Sequence, residues 1–244
     1  MRHGEKVAGI IGGMGPEATV DFMRRVIAKT PAQDDKDHLH LLVDNNPKIP
    51  SRIAAIIEET GEDPAPMLCK MAKGLEAQGA DFLVIPCNTA HYYLEKIARS
   101  VRIPVLDMVD LSAKKLLAAD PRPRRVGMLA SPAVRMVGLY DKRFGQAGLV
   151  PVYPDRQHES ELLAIIKAVK AGQLNSEHRR SYAGIASSIG ESGADAFMLA
   201  CTELSVIGPP DGIAAPVLDT LDVLAEATIA TARGGLQDAA AAAR

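Results

Sequence analysis

Cys87 and Cys201 each close an apolar run, Phe82-Leu83-Val84-Ile85-Pro86 and Ala196-Phe197-Met198-Leu199-Ala200. Both runs open on Gly-Ala-Asp, at Gly79 and Gly193, so the two thiols occupy equivalent places 114 positions apart. Each is followed by residues that start helices, Asn88-Thr89 and Thr202-Glu203. An unperturbed thiol titrates near ~8.5, and a helix amino terminus lowers that value. Each cysteine is therefore a candidate acid or base. Two such groups on opposite sides of one carbon can take a proton from one face and return one to the other, inverting a stereocentre. In this scheme one sulfur rests as thiolate and the other as thiol, and they exchange roles at each turnover. The carbanion spreads its charge onto a neighbouring carboxylate, which calls for donors aimed at those oxygens. Backbone N–H groups from Gly13 to Gly15 and at the starts of the two cysteine helices are the donors the sequence offers. A single cysteine at the end of a buried strand is by itself a small core residue; the symmetric pair is what argues for chemistry. The third thiol, Cys69, falls inside a helix and is read as a small buried or half-buried hydrophobe, not a reactive group.

The elements that would position these groups alternate in type. Val7–Ile11 reads as a short buried strand, Gly12-Gly13-Met14-Gly15 as a tight turn, and Pro16 as the first position of a helix running from Glu17 to Ala28. A second strand, Leu39–Val43, stops at the loop Asp44-Asn45-Asn46-Pro47. A helix of about two turns follows Ser51-Arg52, and a longer one follows Asp63-Pro64. After Cys87 come a helix from Thr89 to Ser100, a strand at Pro104–Leu106 and a helix from Met108 to Ala119. Beyond Pro121-Arg-Pro-Arg-Arg125 the pattern restarts. It runs through strand Val126–Leu129, loop Ala130-Ser131-Pro132, a helix to Gly145 and strand Val150–Val152. Next is an amphipathic helix with Leu162, Ile165, Ile166 and Val169 on one face, then helix Ser176–Glu191, the second cysteine strand, strand Pro216–Leu218 and a final helix. The polyalanine-rich stretch from Gly235 to Arg244 is expected to fray.

An internal duplication explains the restart. Gly9-Ile-Ile-Gly matches Gly127-Met-Leu-Ala, the cysteine strands match, and Ile103-Pro-Val-Leu-Asp107 matches Ala215-Pro-Val-Leu-Asp219, all in the same order. The fold class is α/β, with two pseudo-symmetric domains, each a mostly parallel sheet flanked by helices. Ligands in such sheets bind beyond the carboxyl ends of the strands, which puts the active site in the cleft between the domains. The expected division is residues 1–106, completed by the final helix 219–235, and residues 107–218, with 236–244 a tail.

Composition narrows the function classes. The 244 residues are 47% hydrophobic, and 28 basic against 30 acidic side chains leave a net charge of −2. That is no footprint of a nucleic-acid partner. No apolar segment approaches the ~18 residues of a membrane span, and the first residues lack the apolar core of a signal peptide. Three cysteines without Cys-x-x-Cys spacing suggest neither a disulfide framework nor a metal site, and leave a redox couple as the weaker reading of the pair. The expectation is a cytoplasmic protein with reduced thiols. Gly13-Met14-Gly15-Pro16-Glu17-Ala18 also satisfies Gly-x-Gly-x-x-Gly/Ala, with Asp44 at the end of the next strand, a dinucleotide-binding pattern. That rival leaves the cysteine pair unexplained, and the same glycine turn can hold a carboxylate.

Taken together, Ile11-Gly-Gly-Met-Gly-Pro16, Asn45-Asn-Pro-Lys-Ile-Pro50, Pro86-Cys-Asn-Thr-Ala-His91 and Ala200-Cys-Thr-Glu203 resemble the aspartate/glutamate racemase family, specifically its aspartate racemase branch. The resemblance extends over residues 5 to 233. It implies a racemase without cofactor that works through two thiols on a small amino-acid substrate, commonly as a homodimer. Cys87 and Cys201 match the two catalytic cysteines. The resemblance also suggests that Met14, Asn88, Thr89 and Thr202 serve the substrate carboxylate, and that Arg52 and Lys170 serve a distal one. Arg52 taken alone reads as a solvated helix charge, although a forked guanidinium suits a second carboxylate. One departure stands out: the family has a threonine-rich turn after its fifth strand, and here Ser131 keeps one hydroxyl while Val134 takes a threonine's place. That loses a carboxylate donor and leaves room for glutamate or another amino acid beside aspartate. His91, four residues past Cys87, is read as orienting or structural. Asn46, Gly13 and Gly15 are read as supporting the site, and Glu203 as a helix-start anion before a catalytic group.

Two other readings keep the fold. One changes the chemistry to a hydantoin racemase, a decarboxylase, which needs only one acid, or a cis-trans isomerase. The other is a sensing module that binds an amino acid without turnover.

Overall fold

The computed structural model describes residues 4–234, so the fraying expected for 235–244 lies outside the described residues. Seven strands among the described residues form two parallel sheets. β1 (Ala8–Gly12), β2 (Leu41–Asn45) and β3 (Phe82–Val84) make the first, in the order β2-β1-β3. β4 (Arg125–Ala130), β5 (Val150–Val152), β6 (Ala196–Ala200) and β7 (Val217–Asp219) make the second, in the order β5-β4-β6-β7. A lone bridge from Leu83 to Val105 stands where β7 stands in the second sheet. The order of strands is thus the same in both halves, as a duplication requires.

One repeated device fixes the register. Asp81 accepts from the N–H of Val7 through its carboxylate at 2.7 Å and donates its own N–H to Val7 O at 2.8 Å. Asp195, the equivalent residue, accepts from the N–H groups of Arg124 and Arg125 and donates to Arg125 O at 2.9 Å. The aspartate of each Gly-Ala-Asp thus pins the entry of the cysteine strand to the entry of the strand beside it.

Eleven α-helices among the described residues cover the sheets. α1 (Pro16–Lys29) starts on Pro16 with Gly15 as its N-cap. α2 (Arg52–Ile56) is capped by Ser51, whose hydroxyl accepts from Ala54 N. α3 (Ala65–Ala77) contains Cys69, which is half-buried and donates to Lys96 O at 3.5 Å. A 3₁₀ turn at Thr89–Tyr93 leads into α4 (Leu94–Ser100), and α5 (Met108–Leu117) is capped by the Asp107 carboxylate. α6 (Pro132–Met136) and α7 (Asp141–Ala147) follow β4; α8 (Arg156–Lys170) and α9 (Ser176–Glu191) follow β5. α10 (Thr202–Ile207) follows β6, and α11 (Thr220–Ala232) closes the described chain. α8 buries the expected stripe of Leu162, Ile165, Ile166 and Val169. Leu221, Leu224 and Ala225 of α11 pack with Ile10, Phe22 and Phe82 of the first half, whereas Val109, Ala113 and Leu116 of α5 pack with Val126 and Met128 of the second. No helix among the described residues is long and apolar enough to cross a membrane.

Three sequence expectations need correction. β2 begins and ends two residues later than expected, because it is an edge strand. Asp44 and Asn45 pair with Ile11 and Gly12 while their side chains remain partly solvated. Pro104–Leu106 makes only its single bridge to Leu83; its partner strand β3 ends at Val84, one residue beyond that bridge, whereas β6 runs on to Ala200 and leaves β7 room to pair. The helix expected to run from the loop Ala130-Ser131-Pro132 to Gly145 begins at Pro132 and breaks into α6 and α7 at Gly138, whose φ of 59° ends a right-handed helix.

Candidate active site

The two cysteines lie at the carboxyl ends of equivalent strands, and both line one cavity of about 90 Å³. Its walls come from the same place in each half. Met14 follows β1 and Ser131 follows β4; Cys87 with Thr89 follows β3 and Cys201 with Glu203 follows β6; Ser51, Arg52 and Ile53 follow β2, and Ile166 and Lys170 follow β5. Parallel sheets with one strand order bring the segments that follow equivalent strands to a common centre, which is why residues spread from 14 to 203 meet.

The cavity is lined by both charged and apolar side chains. Arg52 gives one guanidinium N–H to Pro50 O at 3.0 Å, and its Nε is buried without a protein partner. The buried hydroxyl of Ser131 is likewise unpartnered. Buried polar groups are nearly always hydrogen-bonded, so unpaired donors on a cavity wall have capacity left for a ligand. Lys170 Nζ is paired with Glu203 Oε1. Burial works against the ammonium, but Glu203, with Cys201 and Cys87 behind it, raises its pKa above the usual lysine value. Met14, Ile53 and Ile166 supply the apolar wall.

Cys201 departs from the sequence expectation. It was read as a thiol acidified by a helix amino terminus, and its pKa is instead pushed well above the usual value, by burial first and then by Glu203, with only partial relief from Lys170. The sulfur is 3.1 Å from Glu203 Oε2 and donates to it. Magnitudes explain the outcome. A helix terminus contributes about 0.3–1 kcal/mol, less than one pKa unit, while full burial moves a pKa by up to ~3–5 units. α10 is also a helix of only 6 residues. Burial and the Glu203 carboxylate thus both favour the protonated form of Cys201.

Of the other expected site residues, Met14, Thr89, Arg52, Ser131 and Lys170 line the cavity with the two cysteines. Asn88 does not. Its Oδ1 accepts from Tyr140 and its Nδ2 donates to Thr220 Oγ1 at 3.0 Å, so the amide is spent within the protein. Thr202 is buried beneath Cys201 in sequence, outside the cavity wall, with its hydroxyl unpartnered. Gly13 gives its N–H to Thr19 Oγ1 at 2.9 Å, so it is not the free donor expected of the glycine turn. Its φ is 93°, and a Cβ there would come 2.2 Å from Asn46 O. Asn46 bears on the site through that backbone contact; its side chain turns to Lys48 N and Met71. Gly15 faces Glu203, since a Cβ on it would come 3.3 Å from Oε1.

His91 is structural. Its Nδ1 lies 2.9 Å from Cys87 O, and Nε2 lies 3.1 Å from the N–H of Met108. The second contact requires an unprotonated Nε2, which puts the proton on Nδ1. Burial lowers the imidazole's pKa, with Asp107 opposing, and keeps the ring neutral. Val134, which replaces an expected threonine, is fully buried among Tyr140, Phe144 and Met198 and does not reach the cavity. Ser51, Ile53, Ile166 and Tyr140 were not singled out by sequence as site residues; only Ile166 carried a signal, as part of the α8 stripe. Among the described residues no group of three or more His, Cys, Asp or Glu could hold a metal ion.

Comparison with known proteins adds to this geometry. The family described as Asp/Glu/Hydantoin racemase matches residues 11–228. The aspartate racemase of Picrophilus torridus is 32% identical, superposes with a TM-score of 0.83 and covers 93% of this chain and 94% of its own. The broad specificity amino-acid racemase of Bacillus subtilis (strain 168) is 27% identical over 227 residues, which is 91% of this chain and 96% of that protein. The glutamate racemase of Francisella tularensis, solved with D-glutamate, is 16% identical with a TM-score of 0.62 over 97% of this chain and 84% of its own; that likeness is one of fold.

Proposed function

This chain belongs to the Asp/Glu/hydantoin racemase family and is an amino-acid racemase, an isomerase; from that premise we propose that it interconverts the L and D forms of aspartate, or of a related acidic amino acid, through Cys87 and Cys201. The observation that carries the reading is that equivalent strand ends bring both thiols to one cavity that also holds Arg52 and Lys170.

In this mechanism the substrate lies between the sulfurs. Cys87 takes the α-proton from one face, and the electron pair left on carbon passes into the α-carboxylate. Cys201, which holds a proton at rest, delivers it to the opposite face. For the other enantiomer the roles reverse. Hydroxyls of Thr89 and Ser131 are donors for the α-carboxylate, where charge builds up in the transition state. Arg52 and Lys170 attract a side-chain carboxylate, which favours acidic substrates over neutral ones. The Bacillus subtilis relative is named for broad specificity, so aspartate is the first substrate to try and glutamate the second. The homodimer implied by the sequence resemblance belongs to the same proposal and rests on that resemblance alone.

The test is loss of the α-proton signal of L- and D-aspartate by NMR in D₂O, with the wild type, Cys87→Ser and Cys201→Ser. Loss with the wild type and retention in both variants supports the two-thiol reaction. Unchanged signals at high enzyme concentration sink it for that substrate. Activity surviving in either variant would favour chemistry that needs one acid.

A further inference from the structure

Glu203 lines the cavity between Lys170 and Cys201. One carboxylate oxygen holds Lys170 Nζ, and the other accepts the Cys201 thiol at 3.1 Å. The side chain is 7% exposed, and the amino end of α1 backs onto it at Gly15. A carboxylate this buried needs its partners, and here its partners are a cation fit to read a substrate's side chain and a thiol fit to move its α-proton. Lys170 cannot hold a substrate carboxylate at full strength while Glu203 occupies it.

We propose that Glu203 is a resident carboxylate that couples side-chain recognition to the proton on Cys201: it occupies Lys170 until the distal carboxylate of an acidic substrate replaces it, and it holds the Cys201 thiol as the donor. A neutral amino acid brings no side-chain carboxylate to exchange and leaves the pair closed. Glu203 is thus a positioning residue that selects for acidic substrates, an inference that rests on the racemase reading above.

The groups that bear on this pair come from every neighbouring element: Lys170 on α8, Arg52 on α2, Cys87 after β3 and Tyr182 on α9, whose phenol is pushed up by burial and then by Asp219 and Cys201. Arg25 of α1 reaches α10 through Ser205 O. Of these, only Lys170 and Cys201 are bonded to the Glu203 carboxylate, so Glu203→Gln changes one local charge and little shape.

The experiment has two readouts on the intact protein. Calorimetry at pH 6 with succinate, a dicarboxylate without an α-amine, is expected to give binding at least tenfold tighter in Glu203→Gln than in the wild type, because Lys170 is released. Iodoacetamide labelling of Cys201 across pH 5 to 9, followed by mass spectrometry, is expected to show its midpoint moved to lower pH in Glu203→Gln and labelling at pH 7 at least tenfold faster. Equal or weaker succinate binding, an unmoved labelling midpoint, or no succinate binding by either protein overturns the proposal. Lys170→Met serves if Glu203→Gln does not fold: succinate binding at least tenfold weaker and Cys201 labelling slower than in the wild type are required. Neither readout needs turnover. Failure of α-proton exchange in the wild type therefore sinks the racemase reading separately.

Discussion

Tyr140 Oη lies 2.5 Å from Asn88 Oδ1, so a side chain at the start of α7 in the second half holds the residue that follows Cys87 in the first. Both are buried, and the contact continues from Asn88 Nδ2 to Thr220 Oγ1 and from that hydroxyl to Leu199 O at 2.8 Å. Leu199 is two residues before Cys201, so one hydrogen-bonded chain spans the neighbourhood of both thiols. Tyr140→Phe removes the donor and leaves a buried amide oxygen unpaired, a loss of about 1–3 kcal/mol. Urea denaturation is expected to show it. The α-proton exchange rate should fall roughly tenfold, short of the ~10²-fold that a 1 Å misplacement costs. Wild-type stability in this variant would show that the chain does not carry load.

His91 makes a second prediction, with a definite pH sign. Its ring bonds on both sides only when neutral, and burial lowers its pKa in the folded state. Stability from a lowered pKa of this kind is present above the unfolded value of ~6.5 and is lost as pH falls below it, because the unfolded ring takes up a proton more readily. Wild-type stability should therefore decline between pH 7 and pH 5. His91→Gln should be weaker at pH 7 by about 1–3 kcal/mol, and should lose less than the wild type over the same interval. Parallel acid limbs in the two proteins would contradict the neutral, bonded ring.

Much of this arrangement was legible in the residues themselves. Three ordered matches announced the duplication, and strands ending at Cys87 and Cys201 forced both thiols to the same side of parallel sheets. The stripe of α8 followed from its 3.6-residue period. What was hidden depends on pairings between distant segments. Lys170 and Glu203 have no periodic or motif relation, and only the packing of α8 against α10 makes them an ion pair. The direction of the Cys201 shift was misread for the same reason: a local rule about helix termini was applied where burial and one carboxylate decide. Asn88 was expected to face substrate, and Tyr140, an aromatic without any motif, is what turns its amide inward.

Gly13 carries a third prediction. Its φ of 93° belongs to the region that side chains rarely adopt, and the carbonyl of Asn46 lies where a Cβ would go. Backbone rather than a flexible side chain is in the way, so relief requires moving β1 from the loop after β2. Gly13→Ala is expected to cost about 3 kcal/mol, from crowding and backbone strain together. Met14 would shift with it, and thermal melting together with α-proton exchange would register both effects. A variant that melts within a degree or two of the wild type would contradict the close approach.

Arg25 carries the last prediction, and it concerns how the halves are held together. From α1 its guanidinium reaches Asp219 Oδ2 at 2.7 Å, Asp21 Oδ2 at 2.9 Å and the carbonyl of Ser205 at 2.8 Å, with Asp222 at 3.1 Å. Ser205 belongs to α10, which begins at Thr202 and Glu203, so this arginine braces the helix behind the second thiol. Burial alone would lower its pKa; Asp219, Asp21 and Asp222 raise it beyond the ordinary arginine value. Burial raises the pKa of the Asp219 carboxylate, and the Arg25 guanidinium and Ser205 oppose that shift. Arg25→Met leaves Asp219 without its counter-ion and should cost about 3 kcal/mol, the low end for a broken buried pair because Asp222 remains solvated. A carboxylate with a raised pKa favours the folded state in its protonated form, so the penalty should be largest at pH 8 and shrink as pH falls towards 5. Asp219→Asn in the same background should recover part of the loss, which urea denaturation of the four proteins of the cycle would measure. Strict additivity of the two substitutions would mean that Arg25 and Asp219 do not act as a pair.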